Sequence, residues 1–80
     1  MLRWRRGKKQ FLVVYNYGQG GVWAIIYAHS RLEIAKKYPQ LKIYRFKPFW
    51  MNRVTYNKIK TTMALDINDA PSGWLTELVA

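Results

Sequence analysis

Residues 11–28 (FLVVYNYGQGGVWAIIYA) run eighteen positions without a charge, interrupted at the centre by Gly18-Gln19-Gly20-Gly21. This segment limits the fold more than any other. Phe11, Val13, Tyr15 and Tyr17 fall on one face of an extended chain, and Leu12, Val14 and Asn16 on the other. Beyond the glycines, Val22, Ala24, Ile26 and Ala28 alternate with Trp23, Ile25, Tyr27 and His29. Glycine reaches positive φ without steric cost, so the Gly-rich run predicts a turn between strands 11–17 and 22–29. Both faces of this hairpin are mostly apolar. It must be covered on more than one side, or lie centrally in a sheet. A spanning helix is the competing reading of eighteen uncharged residues. Asn16, Gln19 and three glycines would then lie where such a helix is most apolar, and Val, Ile, Tyr and Trp favour strands. The basic residues ahead of the segment imitate a signal peptide, but the apolar run Phe11–Tyr15 is short for one.

Downstream signals complete an α+β order. Ser30 with Glu33 three positions later is a capping box, which predicts a helix over 31–38 that Pro39 ends. Residues 41–47 read as a third strand, closed by Pro48. Residues 48–52 (PFWMN) are a loop rich in large apolar side chains. Tyr56, Ile59 and Met63 stand at helical spacing, so 53–61 reads as a short basic helix. The alternation of Met63, Leu65 and Ile67 suggests a fourth strand. Asn68-Asp69-Ala70-Pro71 is a turn able to cap a last helix carrying Trp74, Leu75, Leu78 and Val79. The expected order is β-β-α-β-(α)-β-α, with helices packed on one sheet. Residues 1–9 form a basic arm expected to be disordered, and residues 10–80 one domain.

The chain resembles small uncharacterised bacterial proteins with a Tyr-x-Tyr-Gly-x-Gly-Gly-x-Trp hairpin. The resemblance rests on Tyr15-Asn16-Tyr17-Gly18-Gln19-Gly20-Gly21-Val22-Trp23, on Ser30 to Pro39, and on Pro71-Ser72-Gly73-Trp74-Leu75. It implies a similar arrangement of elements over most of the chain after the arm. It carries no activity and no functional residues across. Those proteins are rich in acids around residues 50–60, where this chain has Arg53, Lys58 and Lys60. An argument from charge therefore belongs to this chain alone.

Charge narrows the function classes. The 80 residues carry 14 Lys and Arg against 4 Asp and Glu, a net +10. All fourteen cations lie in residues 1–65 with a single acid, Glu33, while Asp66, Asp69 and Glu77 fall in the last fifteen residues. Such asymmetry points to an anionic partner: nucleic acid, a membrane surface or an acidic protein. With no cysteine and one histidine, disulfides and thiolate metal sites are excluded, no cofactor is expected, and the cytoplasm is the default compartment.

Catalytic readings are weak. Gly18–Gly21 could cradle a phosphate, but phosphate loops lead into helices and this run leads into a strand. His29 lacks a nearby acid except Glu33, which the cap already explains, and Ser30 beside it points to the opposite face of the chain. Asp66 and Asp69 suit a turn better than a metal site. The chain is therefore expected not to be an enzyme. The most informative constellation interleaves Trp4, Tyr44, Phe46, Phe49, Trp50 and Tyr56 with cations. Cations neutralise phosphates while exposed rings stack on bases. The expected nucleic-acid contacts are Arg3, Trp4, Arg5, Arg6, Lys8 and Lys9 on the arm. On the domain they are Lys42, Arg45, Lys47, Trp50, Arg53, Lys58 and Lys60. Rings serving as core and charges as solvated rim is the rival explanation. Two further expectations stay open. One is a protein partner or homo-oligomer met through Phe49-Trp50-Met51. The other is attachment to an anionic membrane through the Trp4-bearing arm.

Overall fold

The computed structural model describes residues 7–16, 18 and 21–78. The uncharged segment forms the predicted hairpin. Strand β1 (Lys9–Asn16) pairs antiparallel with β2 (Gly21–Ala28), in register from Lys9↔Ala28 to Asn16↔Gly21. Gly18, at φ 97°, supplies the left-handed backbone that its connection requires, and its N–H donates to Asn16 Oδ1 at 2.8 Å. Gln19 and Gly20 of the predicted turn lie outside the described residues. Helix α1 (Arg31–Lys37) follows, then β3 (Lys42–Tyr44), α2 (Arg53–Thr62), β4 (Ala64–Asp66) and a 3-10 helix over Gly73–Leu78. The sheet order is β3-β1-β2-β4, with β3 antiparallel to β1 and β4 parallel to β2. This is an α+β fold with the hairpin at its centre, as two apolar faces demand. No helix among the described residues is long and apolar enough to cross a membrane.

The two faces are covered unequally. On one, Phe11, Val13, Ala24, Ile26 and Leu65 pack against Ile34 and Tyr38 at α1, with Leu41, Ile67 and Leu75 closing the layer. Fully burying a side chain the size of Ile26, Ile34 or Leu75 contributes ~1.5–3 kcal/mol each. On the other face Leu12, Val14, Ile25 and Met51 are buried, with Trp23, Tyr27, Tyr44, Tyr56 and Ile59 packed around the cluster of Leu12, Ile25 and Met51. Helix α2 covers this face yet buries no residue of its own.

Three elements differ from the sequence expectation. Strand β1 starts at Lys9, inside the segment read as the basic arm. Strand β3 ends at Tyr44 rather than Lys47, because the Arg45 guanidinium turns back to bond Gln10 O at 3.2 Å along the edge of β1. The last helix is 3-10, entered through Gly73 at φ 58°. The outer rims are occupied by side chains as well. Arg31 Nη1 donates to Ile43 O of β3 at 3.1 Å, and Asp69 Oδ2 accepts from the Asp66 N–H of β4 at 3.0 Å.

Helix α1 is entered through the capping box read from sequence. Ser30 Oγ accepts from Glu33 N at 3.3 Å, and Glu33 Oε1 accepts from His29 N at 2.7 Å. Ser30→Ala is expected to lower unfolding free energy by ~1 kcal/mol. A urea midpoint and slope identical to those of the parent would refute the cap's contribution.

Tyr38, at the C-cap of α1, is 1 % exposed, and its hydroxyl has no hydrogen-bond partner among the described residues. Burial raises its pKa above the ordinary 10.0. Below pH 10 both folded and unfolded chains keep the proton, so this group leaves stability level. Above it the unfolded chain ionises first, and stability falls with rising pH. Tyr38→Phe should flatten that alkaline decline. It should change stability at neutral pH by less than ~1 kcal/mol, since no hydrogen bond is lost. Urea titrations across pH 8 to 11, read with the ~10 reference value, check both outcomes.

Candidate nucleic-acid interface

Register places a row of side chains across the thinly covered face. Lys42 of β3 stands opposite Val14 of β1, which stands opposite Trp23 of β2; in the next row Tyr44 stands opposite Leu12, and Leu12 opposite Ile25. Trp50 joins them from the loop before α2. The three rings form one cluster. Trp23 and Tyr44 are stacked with centroids 6.3 Å apart. Trp50 meets Trp23 edge-on at 5.5 Å and Tyr44 at 6.2 Å. Lys42 Nζ lies over the Tyr44 ring, 5.4 Å from its centroid. Together with the three rings and Lys42, Val14, Asn16 and Gly21 line an open notch of about 240 Å³. A Cβ at Gly21 would sit 3.0 Å from Val14 Cγ2 and 4.0 Å from Trp23 Nε1, so the missing side chain keeps the notch open.

The loop that carries Trp50 is held from behind. Met51 N donates to Pro48 O at 3.1 Å, Lys47 Nζ donates to Met51 O at 2.8 Å, and Met51 is buried against Leu12 and Ile25. Asn52 caps α2 by accepting from Thr55 N at 2.7 Å. Trp50 is thus 53 % exposed on a fixed base, and its neighbour Phe49 is 95 % exposed. Phe46 and Val54 also stand in solvent nearby in sequence, at 72 % and 78 %.

The candidate cations divide into surface groups and structural ones. Arg3, Trp4, Arg5 and Arg6 lie outside the described residues. Lys8 is committed to the fold: its Nζ lies 2.6 Å from Asp66 Oδ1, with side chains 2 % and 1 % exposed. Lys9 opens β1 and is exposed. Arg45 bonds Gln10 O and lies over the rings of Phe11 and Phe46. Lys47 holds the loop. Lys42 stands at the notch. Arg53, Lys58 and Lys60 are exposed on α2, with Lys60 Nζ 5.7 Å from the Tyr56 ring. The structure therefore brings Lys42 and Trp50 together, with α2 leading away from Trp50, and directs Lys8, Arg45 and Lys47 to structural contacts.

Sequence reading passed over Trp23, Asn16 and Gly21 as members of this site. The signal was present in the alternation, since Trp23 shares a face with Ile25. Recognising it required knowing that β3 pairs with β1 and that α2 stops short of this end of the sheet. Three of the four acids, Glu33, Asp66 and Asp69, have structural partners. Asp66 Oδ1 also accepts from Asn68 N at 2.9 Å, Asp69 holds the Asp66 N–H, and His29 Nδ1 lies 3.5 Å from Glu33 Oε1 at the surface. Among the described residues, no three His, Asp or Glu side chains gather as a metal site would require. No protein-family model matches the chain, and no curated protein or solved structure shows significant similarity to it.

The buried pair predicts a contrast between neighbours. Lys8→Met leaves the Asp66 carboxylate buried without this ammonium and should cost on the order of 3 kcal/mol. Lys9→Met should change stability little, because Lys9 is exposed. Denaturant titration of both variants is the check, and equal effects would contradict the assignment.

Proposed function

We propose that this protein is a non-catalytic binding module for nucleic acid, engaging it through the Trp23–Tyr44–Trp50 cluster and the cations around it. The observation that carries this reading is the cluster itself: the exposed Trp50 ring packed on the half-buried Trp23 and Tyr44 rings beside Lys42, in a chain of net +10. Aromatic rings offer faces on which bases stack, and cations track the phosphates. Arg53 and Lys58 extend the positive surface along α2; Arg3, Arg5 and Arg6, outside the described residues, add to the charge of the chain. No residue is assigned a catalytic role.

A second reading draws on Phe46, Phe49 and Val54. Their exposure suits a protein partner or self-association through the loop at 49–51, because interface cores favour aromatic and apolar side chains. Salt separates the two readings. Phosphate contacts weaken steeply as salt rises, and apolar association does not.

The test is fluorescence anisotropy with labelled single-stranded oligonucleotides at several salt concentrations, with light scattering alongside. Trp50→Ala should weaken binding by ~1–3 kcal/mol and leave the log–log salt slope unchanged. Arg53→Gln combined with Lys58→Gln should make the slope shallower by about 1.4 units, at ~0.7 per phosphate contact on a single strand. No binding by the intact protein at ~50 mM salt, where electrostatic affinity is strong, rejects nucleic acid. A change of oligomeric state in Trp50→Ala or Phe49→Ser, with oligonucleotide affinity intact, would favour the protein-interface reading.

A further inference from the structure

Tyr15 of β1 stands opposite Val22 of β2 at the turn end of the hairpin, which puts both side chains on the face that carries α1, away from Trp23 and the ring cluster. The 3-10 helix packs beside them. Its Leu75 is fully buried, and Gln40 Nε2 donates to Leu78 O at 3.0 Å, so the helix is fixed on the sheet. At three residues per turn, side chains at i and i+3 eclipse, and Trp74 and Glu77 share one row. Strands and helix enclose a cavity of about 370 Å³ lined by Tyr15, Val22, Trp74, Glu77 and Leu78. Pockets for small molecules begin at ~300 Å³.

The lining has the chemistry of a cation site. Among the described residues, the Glu77 carboxylate has no hydrogen bond or ion pair, whereas Glu33, Asp66 and Asp69 are each engaged. Among the same residues no cation stands over the Tyr15 or Trp74 ring, although cations stand over Phe11, Tyr38, Tyr44, Phe46 and Tyr56. An aromatic face attracts a cation through its quadrupole, and Trp attracts it best. Two rings and a carboxylate around one cavity leave the positive charge to be supplied from outside. We propose that this cavity binds a small quaternary ammonium ion. The choice among cations follows from hydrogen bonding. A primary ammonium brings three N–H donors and a guanidinium five. The lining side chains offer as acceptors the Glu77 carboxylate and the Tyr15 hydroxyl, while Val22, Leu78 and the Trp74 indole N–H accept nothing. Donors buried without a partner are costly. A quaternary ammonium has no N–H, and its methyl groups suit Val22 and Leu78 as well as the rings. None of these residues belongs to the ring cluster on the other face, so this site is independent of the nucleic-acid reading.

The experiment titrates the full chain with choline, with ethanolamine, and with the uncharged isostere of choline in which a tert-butyl group replaces the trimethylammonium. Heteronuclear NMR reads the binding and locates it. Choline should give saturable shifts at the Trp74 indole and at the Tyr15, Val22 and Glu77 amides. It should bind about two- to thirty-fold more tightly than the isostere, the range of a cation over a ring. Ethanolamine, a primary ammonium, should bind more weakly than choline. Glu77→Gln should weaken choline about two- to five-fold, as for an exposed ion pair, and leave the isostere unchanged. Trp74→Leu should remove most of the preference for choline over the isostere. Circular dichroism checks the folding of each variant. If Trp74→Leu fails to fold, Glu77→Gln decides, because Glu77 is exposed. Equal binding of choline and its isostere, tighter binding of ethanolamine, choline affinity unchanged in Glu77→Gln, shifts confined to residues outside the lining, or no saturable shift up to tens of millimolar choline each overturns the proposal.

Discussion

Strands β1 and β2 pair along their whole lengths, and both faces of the ribbon they make are apolar. Everything else in the molecule answers the need to cover those two faces. An 80-residue chain lacks the material to do so equally. One face receives α1, the 3-10 helix and the residues around Leu41 and Ile67, and becomes a true core. The other receives only α2 and the Met51 loop. Where α2 ends its coverage, the remaining apolar surface is made of rings rather than aliphatic side chains. Rings tolerate water at an edge while still packing on one another, so the same shortage that limits the core leaves an aromatic surface open.

Shortage of acids shapes the electrostatics in a comparable way. With few carboxylates to pair with, cations bond main-chain carbonyls instead: Arg31 to Ile43, Lys37 to Ile67 and Asp69, Arg45 to Gln10, Lys47 to Met51. Each holds a segment that lacks a regular backbone partner at that point. Such bonds satisfy the carbonyl without neutralising the cation, so the molecule keeps a high net charge even though many of its basic groups are structurally engaged. Net charge alone therefore overstates how many cations are at liberty to meet a ligand. On the described surface Lys9, Lys36, Lys42, Arg53, Lys58 and Lys60 are exposed.

Local signals were legible in the sequence, and long-range ones were not. The alternation on either side of Gly18, the Ser30–Glu33 pair and the spacing of Tyr56 and Ile59 each depend on neighbours a few residues apart, and each matches the structure. The truncation of β3 depends on Arg45 finding Gln10 O across the sheet, which no local pattern announces. The burial of Lys8 depends on Asp66, fifty-eight residues away. Half of the aromatic site was visible as the mix of Lys42, Tyr44 and Trp50. Its other half, Asn16 of β1 with Gly21 and Trp23 of β2, belongs to strands whose neighbours are set by the β3-β1-β2-β4 order. The residues were conspicuous, and what was missing was adjacency.

The rims of the sheet carry one more implication. Open strand edges are templates on which further chains can pair, and the routine protections are short edge strands and charged side chains. Here β3 and β4 are three residues each. A guanidinium occupies Ile43 O on one rim, another occupies Gln10 O where β3 falls short, and a carboxylate holds the Asp66 N–H on the opposite rim. An incoming strand finds little vacant ladder to extend. Pairing of copies edge to edge, the route by which sheets propagate into fibrils, is therefore disfavoured at both described rims.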